Sequence, residues 1–285
     1  MGELELLKEK TRTLDIRFNP NHGKDGKFAP KGGAGGGFSG GINKYSESVK
    51  NETEKIKGRL SNDVRPFQKE AAPNMQKIKD RGGVNDADAK VCADIAEGVY
   101  KEAAAKEPAI TKDIVSSVEG VNGKMYGLDY RLKQTTSMAG KIGADANSDN
   151  ITFQQAGANI KDAIRYTAVM DEKNFTNDYK KIKSNLESKG YKETRCKNFY
   201  DMYENGKSSQ KAVQCVYEDP SGYKFELQFH TPTSQGAKEL NHPLYEKQRE
   251  ATTSAKEKKA LGAQMTAIGK NVPNPPDVLT IKSHG

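Results

Sequence analysis

The sequence predicts an α+β protein in which a mixed, largely antiparallel five-stranded sheet is flanked by helices and preceded by a helical region. Two observations lead to this fold class. Between residues 45 and 120 the apolar side chains recur at helical spacing on a polar background. After the turn signal Val121-Asn122-Gly123, short segments of alternating apolar and polar residues follow one another between helical segments.

The first 44 residues are predicted to be a flexible, glycine-rich linker. Nine of the 27 glycines lie between Gly23 and Gly41, with few apolar side chains among them. So little apolar surface cannot offset the entropy of ordering the segment. Residues 15–30, DIRFNPNHGKDGKFAP, resemble the short tails near the ends of phage head-morphogenesis proteins. That resemblance implies a phage or prophage setting.

Residues 45–109 are predicted to form a helical region that packs on the rest of the chain. One helix begins with Ser46 as its N-cap and carries Val49 on its apolar side. In the second helix, DADAKVCADIAEGVYKEAAAK, the alanines favour helix formation. Its apolar stripe consists of Val91, Ile95, Val99 and Tyr100. A one-sided stripe needs a partner surface, so we expect these helices to be structural.

The main domain is predicted at 110–262, followed by a C-terminal tail at 263–285. Its strands are predicted at 124–133, 162–170, 191–199, 210–218 and 223–230. Its helical segments are predicted at 135–146, 152–160 (helix or turn), 176–189 and 234–262. Gly190 ends a helix, and the residues from Asp219 to Gly222 form a hairpin turn. Pro243 predicts a break in the last helical region.

Composition narrows the class of protein. Only 34% of the residues are apolar and 29% are charged, so the whole chain cannot be one dense core. The net charge of +8 favours polyanionic partners such as nucleotides, RNA or membrane headgroups. Three scattered cysteines indicate reduced thiols. Neither a run of 18 apolar residues nor a signal peptide is present, so we expect no membrane partner and a cytoplasmic location.

The segment 223–230, YKFELQFH, has the clearest period-2 pattern. Phe225, Leu227 and Phe229 lie on one face and supply a core. The opposite face carries a polar row of Lys224, Glu226, Gln228 and His230. Such a row is either a solvent face or the floor of an active site.

A second group of polar residues lies between Tyr130 and Lys141. Arg131 and Lys133 are placed on one face of a strand end, and Ser137 and Lys141 lie four residues apart on the next helix. Three cations and a hydroxyl at a strand-to-helix turn suit a chain of phosphates, because guanidinium and ammonium groups bind phosphate oxygens. The set therefore predicts a nucleoside triphosphate site.

These two segments resemble the synthetase domain of the RelA/SpoT homologues, the alarmone synthetases. Arg131, Lys133, Ser137 and Lys141 match the first family motif, Arg-x-Lys-x-x-x-Ser-x-x-x-Lys. The last motif, Glu-x-Gln-x-Arg-Thr, is matched by Glu226, Gln228 and Thr231, and His242 lies sixteen residues after Glu226, as a helix His does in the family. Asp162 and Arg165 resemble the Asp/Arg strand between the motifs, with two fewer residues separating them. The resemblance covers about 110–255.

The resemblance implies transfer of the β,γ-pyrophosphate of ATP to a ribose 3′-hydroxyl, with Mg²⁺ as the cofactor. It implies Asp162 and Glu226 as catalytic residues and magnesium ligands, with Glu226 also near the attacking hydroxyl. Arg131 and Arg165 are expected to sandwich the adenine of ATP, while Lys133, Ser137 and Lys141 bind its phosphates. The acceptor side is expected to include Gln228, His230, His242 and Tyr200.

Departures from the family pattern concern the acceptor. The segment Gly206-Lys207-Ser208-Ser209-Gln210-Lys211 lacks the family's Tyr and His, and His230 replaces an Arg. The four histidines provide no His-Asp hydrolase domain. The chain therefore resembles the small toxic members, for which the acceptor is a purine nucleotide or the 3′ end of tRNA. We expect a growth-inhibiting toxin in the bacterial host cytoplasm, delivered or carried by a phage particle, with a neutralising antitoxin or immunity protein.

Two alternatives remain open at this level. One is a particle-associated structural or binding protein whose synthetase-like domain is inactive. The other is an ADP-ribosyltransferase toxin, against which the fit of the first motif to a triphosphate argues. Transfer assays with each acceptor separate the synthetase from the inactive binding protein, and an ADP-ribosyltransferase is distinguished by its need for NAD.

Overall fold

The computed structural model describes residues 38–57, 69–250 and 252–285. Most of the predicted linker, residues 1–37, lies outside the described residues. The helices in the described part are α1 Phe38–Lys57, α2 Met75–Gly82, α3 Asp86–Glu119, α4 Thr135–Asp149, α5 Phe153–Ala158, α6 Phe175–Ser188, α7 Phe199–Glu204, α8 Pro232–Gln248 and α9 Ala255–Gly269. The strands are β1 Lys124–Tyr126, β2 Arg165–Val169, β3 Lys192–Asn198, β4 Val213–Glu218 and β5 Lys224–His230.

The five strands form one mixed sheet in the order β1-β2-β5-β4-β3. Only the pairing of β2 with β5 is parallel, and the other three pairings are antiparallel. The predicted α+β class with a largely antiparallel five-stranded sheet is confirmed. The predicted hairpin turn joins β4 to β5, with Gly222 at a φ of 88°.

One face of the sheet forms the main core, against α3 and α6. Phe225 lies at the centre of this face, with ring centroids of Tyr166, Tyr191 and Tyr217 within 6.0 Å. Tyr179 of α6 packs edge-on against Phe229 at 5.1 Å. The apolar set of the period-2 pattern in β5 thus points into the core, as the sequence predicts.

Helices α8 and α1 cover the other face of the sheet, which carries the polar row of β5. α8 follows β5 directly, and α1 packs against both α8 and β1. The contact between α1 and α8 is close: a Cβ on Gly236 of α8 would lie 2.7 Å from the backbone nitrogen of Ser46 and 3.1 Å from the carbonyl oxygen of Ile42. Only glycine at position 236 permits this approach.

Several element boundaries differ from the prediction. α1 begins at Phe38, so residues 38–44 are helix and Ser46 lies inside the helix, because Ile42 is buried against the rest of the fold. α3 runs without interruption through the boundary predicted after residue 109. Of the predicted apolar stripe, Tyr100 is buried, Ile95 and Val99 are partly buried against the core, and Val91 is 39% exposed. Small residues such as Ala89 and Ala96 share the buried side and allow the helix to pack closely.

Two further expectations about helices and one about a strand are corrected. α8 continues through Pro243, since it is packed between α1 and α9, so the predicted break is absent. α9 continues past residue 262. β1 ends at Tyr126, well before the predicted end at residue 133, because Gly127 adopts a φ of 63° and a 3₁₀ turn follows at Leu128–Tyr130.

The C-terminal residues pack on β3. Asn198 donates from its side-chain amide to the carbonyl oxygens of Val278 and Ile281. Cys196 and His284 form an antiparallel bridge at the outer edge of the strand. In the described part of the chain, no helix is both long and apolar enough to span a membrane.

Candidate functional site

The polar row of β5 runs from an exposed Lys224, through Glu226 and a half-buried Gln228, to His230. Glu226 is 6% exposed and His230 is 2% exposed. In the parallel pairing of β2 with β5, Arg165 lies beside Glu226 and Thr167 lies beside Gln228. Neighbours in register project from the same face of a sheet. The structure therefore leaves the Lys224 end of the row at the solvent, buries Glu226 and His230, and places Arg165 next to Glu226.

Two glutamine amides hold the Glu226 carboxylate. Gln214 of β4 donates from Nε2 to Oε2 of Glu226, and Gln228 donates from Nε2 to Oε1. Lys238 of α8 donates from Nζ to Oε1 of Gln228 over 2.5 Å. Because a carboxylate offers about four lone-pair positions, Glu226 keeps acceptor capacity for a ligand. The sequence pattern does not single out Gln214. Its role becomes visible only from its position opposite Gln228 in the antiparallel pairing of β4 with β5.

Lys133 and Asp162 form a buried ion pair at the entrance to β2. The Nζ atom of Lys133 lies 2.6 Å from Oδ2 of Asp162, and the lysine side chain is 4% exposed. Burial lowers the pKa of Lys133 to about 8, although the carboxylate opposes this shift. Burial also acts to raise the pKa of Asp162, but the charge and hydrogen bond of Lys133 outweigh it and keep that pKa below its usual value.

More cations surround this ion pair. Lys141 and Arg165 both interact electrostatically with Asp162 and lower its pKa further. Lys141 forms an ion pair with Asp145, one turn along α4. Arg165 is exposed. The charges of Lys133, Lys141 and Arg165 thus all act on one carboxylate, with Lys133 in direct contact.

Arg81 of α2 adds a cation that the sequence does not predict. Its Nη1 atom donates to the hydroxyl oxygen and to the carbonyl oxygen of Ser137, each over 2.9 Å. The arginine crosses Gly140, where a Cβ atom would lie 2.8 Å from its Cδ atom. Burial lowers the pKa of Arg81 to about 10, as does nearby Arg249, whereas Asp162 counteracts them. Because α2 and α4 are far apart in the sequence, no local sequence pattern indicates this contact.

Arg131 is placed differently from the expectation. Its Nε atom lies 2.5 Å from Oε1 of Glu107 in α3, and its Nη1 atom donates to the carbonyl oxygen of Leu128 over 2.9 Å. The side chain is 4% exposed. This placement corrects the expectation that Arg131 stacks on adenine, because a guanidinium buried against a carboxylate has no open face for a base. Because β1 ends at Tyr126, residues 131–133 are not part of this strand, so its alternation does not place Arg131 and Lys133 on one face.

The N-terminus of α4 is already capped by a carboxylate. Glu70 accepts hydrogen bonds from the Thr135 hydroxyl over 2.6 Å and from the backbone N–H of Thr136 over 2.5 Å. A carboxylate at this position also interacts favourably with the helix dipole. The carboxylate of Glu70 therefore caps the start of α4.

The two histidines of the expected acceptor side have different environments. His230 is buried, and its Nδ1 atom lies 2.9 Å from the Ser234 hydroxyl. Burial lowers the pKa of His230 well below its usual value, so the ring is neutral at pH 7. His242 lies on the surface of α8, with a side chain that is 53% exposed and Nε2 3.9 Å from Glu246. His230 therefore supplies no fixed positive charge at the acceptor side.

Tyr200 belongs to the core. It is fully buried, and its ring packs edge-on against Phe175 with a centroid distance of 5.8 Å. This corrects the expectation of Tyr200 on the acceptor side, because no surface of the ring is open to a ligand. The exposed aromatic residue near the site is Tyr245 of α8, which is 48% exposed and lies under Arg249 at 4.9 Å.

The carboxylates have free capacity for a hard cation. The Oδ1 atom of Asp162 is buried and has no hydrogen-bond partner among the described residues. Mg²⁺ is commonly held by one or two carboxylates together with substrate phosphates. Asp162 lies three residues before Arg165, and Glu226 lies beside Arg165 in register. Both residues supply carboxylate oxygens, the ligand type that such a cation needs.

No known protein family matches the chain, and no curated protein matches it. Among solved structures, a chain from the crystal structure of the complex between the Type VI effector Tas1 and its immunity protein matches with 15% sequence identity and a TM-score of 0.40. The match covers 61% of this chain and 94% of that chain. A TM-score of this size is too low to transfer any property of that complex.

Proposed function

We propose that this protein is an Mg²⁺-dependent pyrophosphokinase that transfers the β,γ-pyrophosphate of ATP to a ribose 3′-hydroxyl. The observation that carries the proposal is the group of Lys133, Lys141 and Arg165 around Asp162, with Glu226 beside Arg165 on the same sheet face. Phosphoryl and pyrophosphoryl transfer depend on positioning and on charge stabilisation, which such a group supplies.

The donor side is assigned from these contacts. Lys133, Lys141 and Arg165 bind the triphosphate, and Asp162 would hold Mg²⁺ through Oδ1, which has no hydrogen-bond partner among the described residues. When bound, the cation neutralises charge on the phosphate oxygens during transfer. Arg81 holds Ser137, and therefore the first turn of α4, against α2.

Glu226 is assigned to the attacking hydroxyl. Its two hydrogen bonds from Gln214 and Gln228 fix the orientation of the carboxylate and still leave lone pairs to accept the 3′-hydroxyl proton. Lys238 fixes Gln228 from the other side. The same carboxylate is the second ligand offered to Mg²⁺.

Arg131 takes a structural role in this proposal. Its ion pair with Glu107 joins the segment before α4 to α3, so it positions Lys133 two residues later. The acceptor base is assigned to the exposed ring of Tyr245 beside Arg249, because aromatic and guanidinium planes both stack on nucleobases. A purine nucleotide and the 3′ end of tRNA both present the required 3′-hydroxyl.

The biological consequence we propose is growth inhibition of a bacterial cell, because ATP and either acceptor are consumed there. A neutralising immunity protein then has to cover the acceptor side or the Arg165 edge. Expression under a tight promoter tests this: loss of colony formation by the wild type, and normal growth with Glu226→Gln at equal protein level, are expected. Equal toxicity of the two would refute the link between transfer and toxicity.

The biochemical test uses purified protein, Mg²⁺ and ATP labelled in the γ-phosphate, with GDP, GTP, ADP, ATP or tRNA as acceptor. We expect labelled product with at least one acceptor and a loss of about 100-fold or more in rate for Glu226→Gln. Glu218→Gln is the matched control, since Glu218 lies at the end of β4 opposite the exposed Lys224 at 3.9 Å, two register positions from Glu226. Absence of transfer to every acceptor would overturn the proposal.

A binding protein without catalysis is the second candidate. The observation in its favour is that the cations of the first motif have protein partners: Arg131 with Glu107, Lys133 with Asp162 and Lys141 with Asp145. Calorimetry with ATP separates the two functions, because tight ATP binding without transfer supports only the binding protein. The same calorimetric titration with NAD in place of ATP tests the ADP-ribosyltransferase alternative.

A further inference from the structure

A second cluster of ligating side chains lies on the core face of the sheet, opposite to the polar row. Cys196 of β3, Cys215 of β4 and Glu193 of β3 place one ligand atom each within 4.8 Å of one another. Both cysteines are fully buried. None of the three takes part in the proposed transfer reaction, so the cluster needs another explanation.

The pairing of the strands brings the two thiols together. The backbone N–H and C=O of Cys196 both bond to His284, over 2.9 Å each. A residue in an antiparallel sheet directs both groups to the same neighbour, so Cys196 and Cys215 form a non-hydrogen-bonded pair across β3 and β4. In such pairs the side chains approach most closely, with Cα atoms about 4.5 Å apart.

His284 lies beside this group, outside the three residues whose ligand atoms are within 4.8 Å of one another. It is paired with Cys196 in the bridge, so both side chains project from the same face. Its Nε2 atom lies 3.1 Å from Oε1 of Glu193 in a hydrogen bond, so the imidazole has to turn towards the sulfurs to become a fourth ligand. The imidazole is 44% exposed, so the cluster has a route to solvent beside the C-terminus.

The groups around Glu193 are suited to orient it as a metal ligand. Tyr217 donates to Oε2 over 2.8 Å, and Tyr179 donates to the same oxygen over 3.0 Å. Lys183 lies 2.8 Å from Oε1. Ligating carboxylates in metal sites are commonly oriented by such hydrogen bonds. Two thiolates, one carboxylate, a divalent ion and the Lys183 ammonium together carry no net charge, which a buried site requires.

Metal binding at cysteine requires thiolates and releases their protons.

We propose that Cys196, Cys215 and Glu193 form a zinc site, which His284 completes by turning its partly exposed imidazole onto the ion and which fastens the C-terminal residues to β3 and β4. Two sulfurs, one nitrogen and one oxygen form a donor set that Zn²⁺ accepts in tetrahedral geometry, whereas Mg²⁺ demands oxygen ligands. The site lies on the face of the sheet away from Glu226, so it is structural and independent of the transfer reaction.

The test uses the full chain, reduced and freed of metal with a chelator, and then titrated with Zn²⁺ in the presence of excess Mg²⁺. We expect one zinc per chain by elemental analysis and a thiolate-to-metal charge-transfer band when Co²⁺ is used instead. The variant carrying Cys196→Ser and Cys215→Ser should lose both signals. His284→Ala should weaken zinc binding by about tenfold or more.

Two variants serve as controls. Cys92→Ser removes the third cysteine, which lies in α3, and His242→Ala removes a histidine of α8; both should keep one zinc per chain. Because His284 is partly exposed, its variant should fold normally, which circular dichroism checks. Failure of the wild type to bind zinc, equal loss in the control variants, or recovery of a Cys196–Cys215 disulfide from freshly purified, alkylated protein would overturn the proposal.

Discussion

The ion pair between Lys133 and Asp162 predicts a stability difference that depends on pH. Replacing Asp162 by Asn removes the charge 2.6 Å from a lysine that is 4% exposed and has a pKa of about 8. An adjacent opposite charge shifts a pKa by about 1–3 units, so we expect the pKa of Lys133 in Asp162→Asn to fall to about 6.

The magnitude follows from linkage. The unfolded lysine has a pKa of about 10.4, and both folded values lie below it, so the charged form disfavours folding and stability rises as this lysine loses its proton. At pH 7 the wild-type lysine is mostly charged and the variant lysine is mostly neutral. This difference lowers the free energy of unfolding of the variant by about 1.4 kcal/mol. At pH 9 both lysines are mostly neutral, and this difference falls below about 0.2 kcal/mol.

Urea denaturation at pH 7 and pH 9 measures the two differences in unfolding free energy. Asp145→Asn is the matched control: its partner Lys141 is 30% exposed, so we expect a loss below about 0.5 kcal/mol that changes little with pH. An Asp162→Asn destabilisation that is equal at pH 7 and pH 9 would refute the burial argument for Lys133.

Two further predictions concern packing. Arg131→Lys should destabilise the fold by about 1–3 kcal/mol in urea denaturation, because a lysine cannot reproduce the contacts to Glu107 and to the Leu128 carbonyl together; unchanged stability would contradict the structural role. Gly236→Ala should cost about 1–3 kcal/mol by separating α8 from α1, while Gly98→Ala, with open space around the added methyl group, should stabilise α3 by up to about 1 kcal/mol. Equal effects of the two glycine variants would refute the close contact between α1 and α8.

Local patterns along the chain were sufficient for much of the fold. Alternation in residues 223–230 predicted which side chains of β5 enter the core, and Phe225, Leu227 and Phe229 are all fully buried. Gly190 ends α6 with a φ of 89°, as a glycine after a helix is expected to do. These features depend on one residue and its near neighbours, and a sequence displays them directly.

The site was predictable only in part, because its geometry depends on contacts between distant segments. The match to a known motif selected Lys133, Asp162 and Glu226, and the structure places Lys133 against Asp162. It also selected Arg131, whose partner Glu107 belongs to another helix. A spacing pattern states which residue types are present and leaves open which neighbour neutralises each charge.

The sequence by itself determined the α+β class, the polar row of β5 and the types of charged residue available to a triphosphate. Tertiary structure alone decided that Glu226 and His230 of this row are buried, that Arg81 joins Ser137, and that Arg131 and Tyr200 are structural. The physical reason is that periodicity follows from backbone geometry within one element, whereas burial and ion pairing are set by elements that meet only when the chain folds.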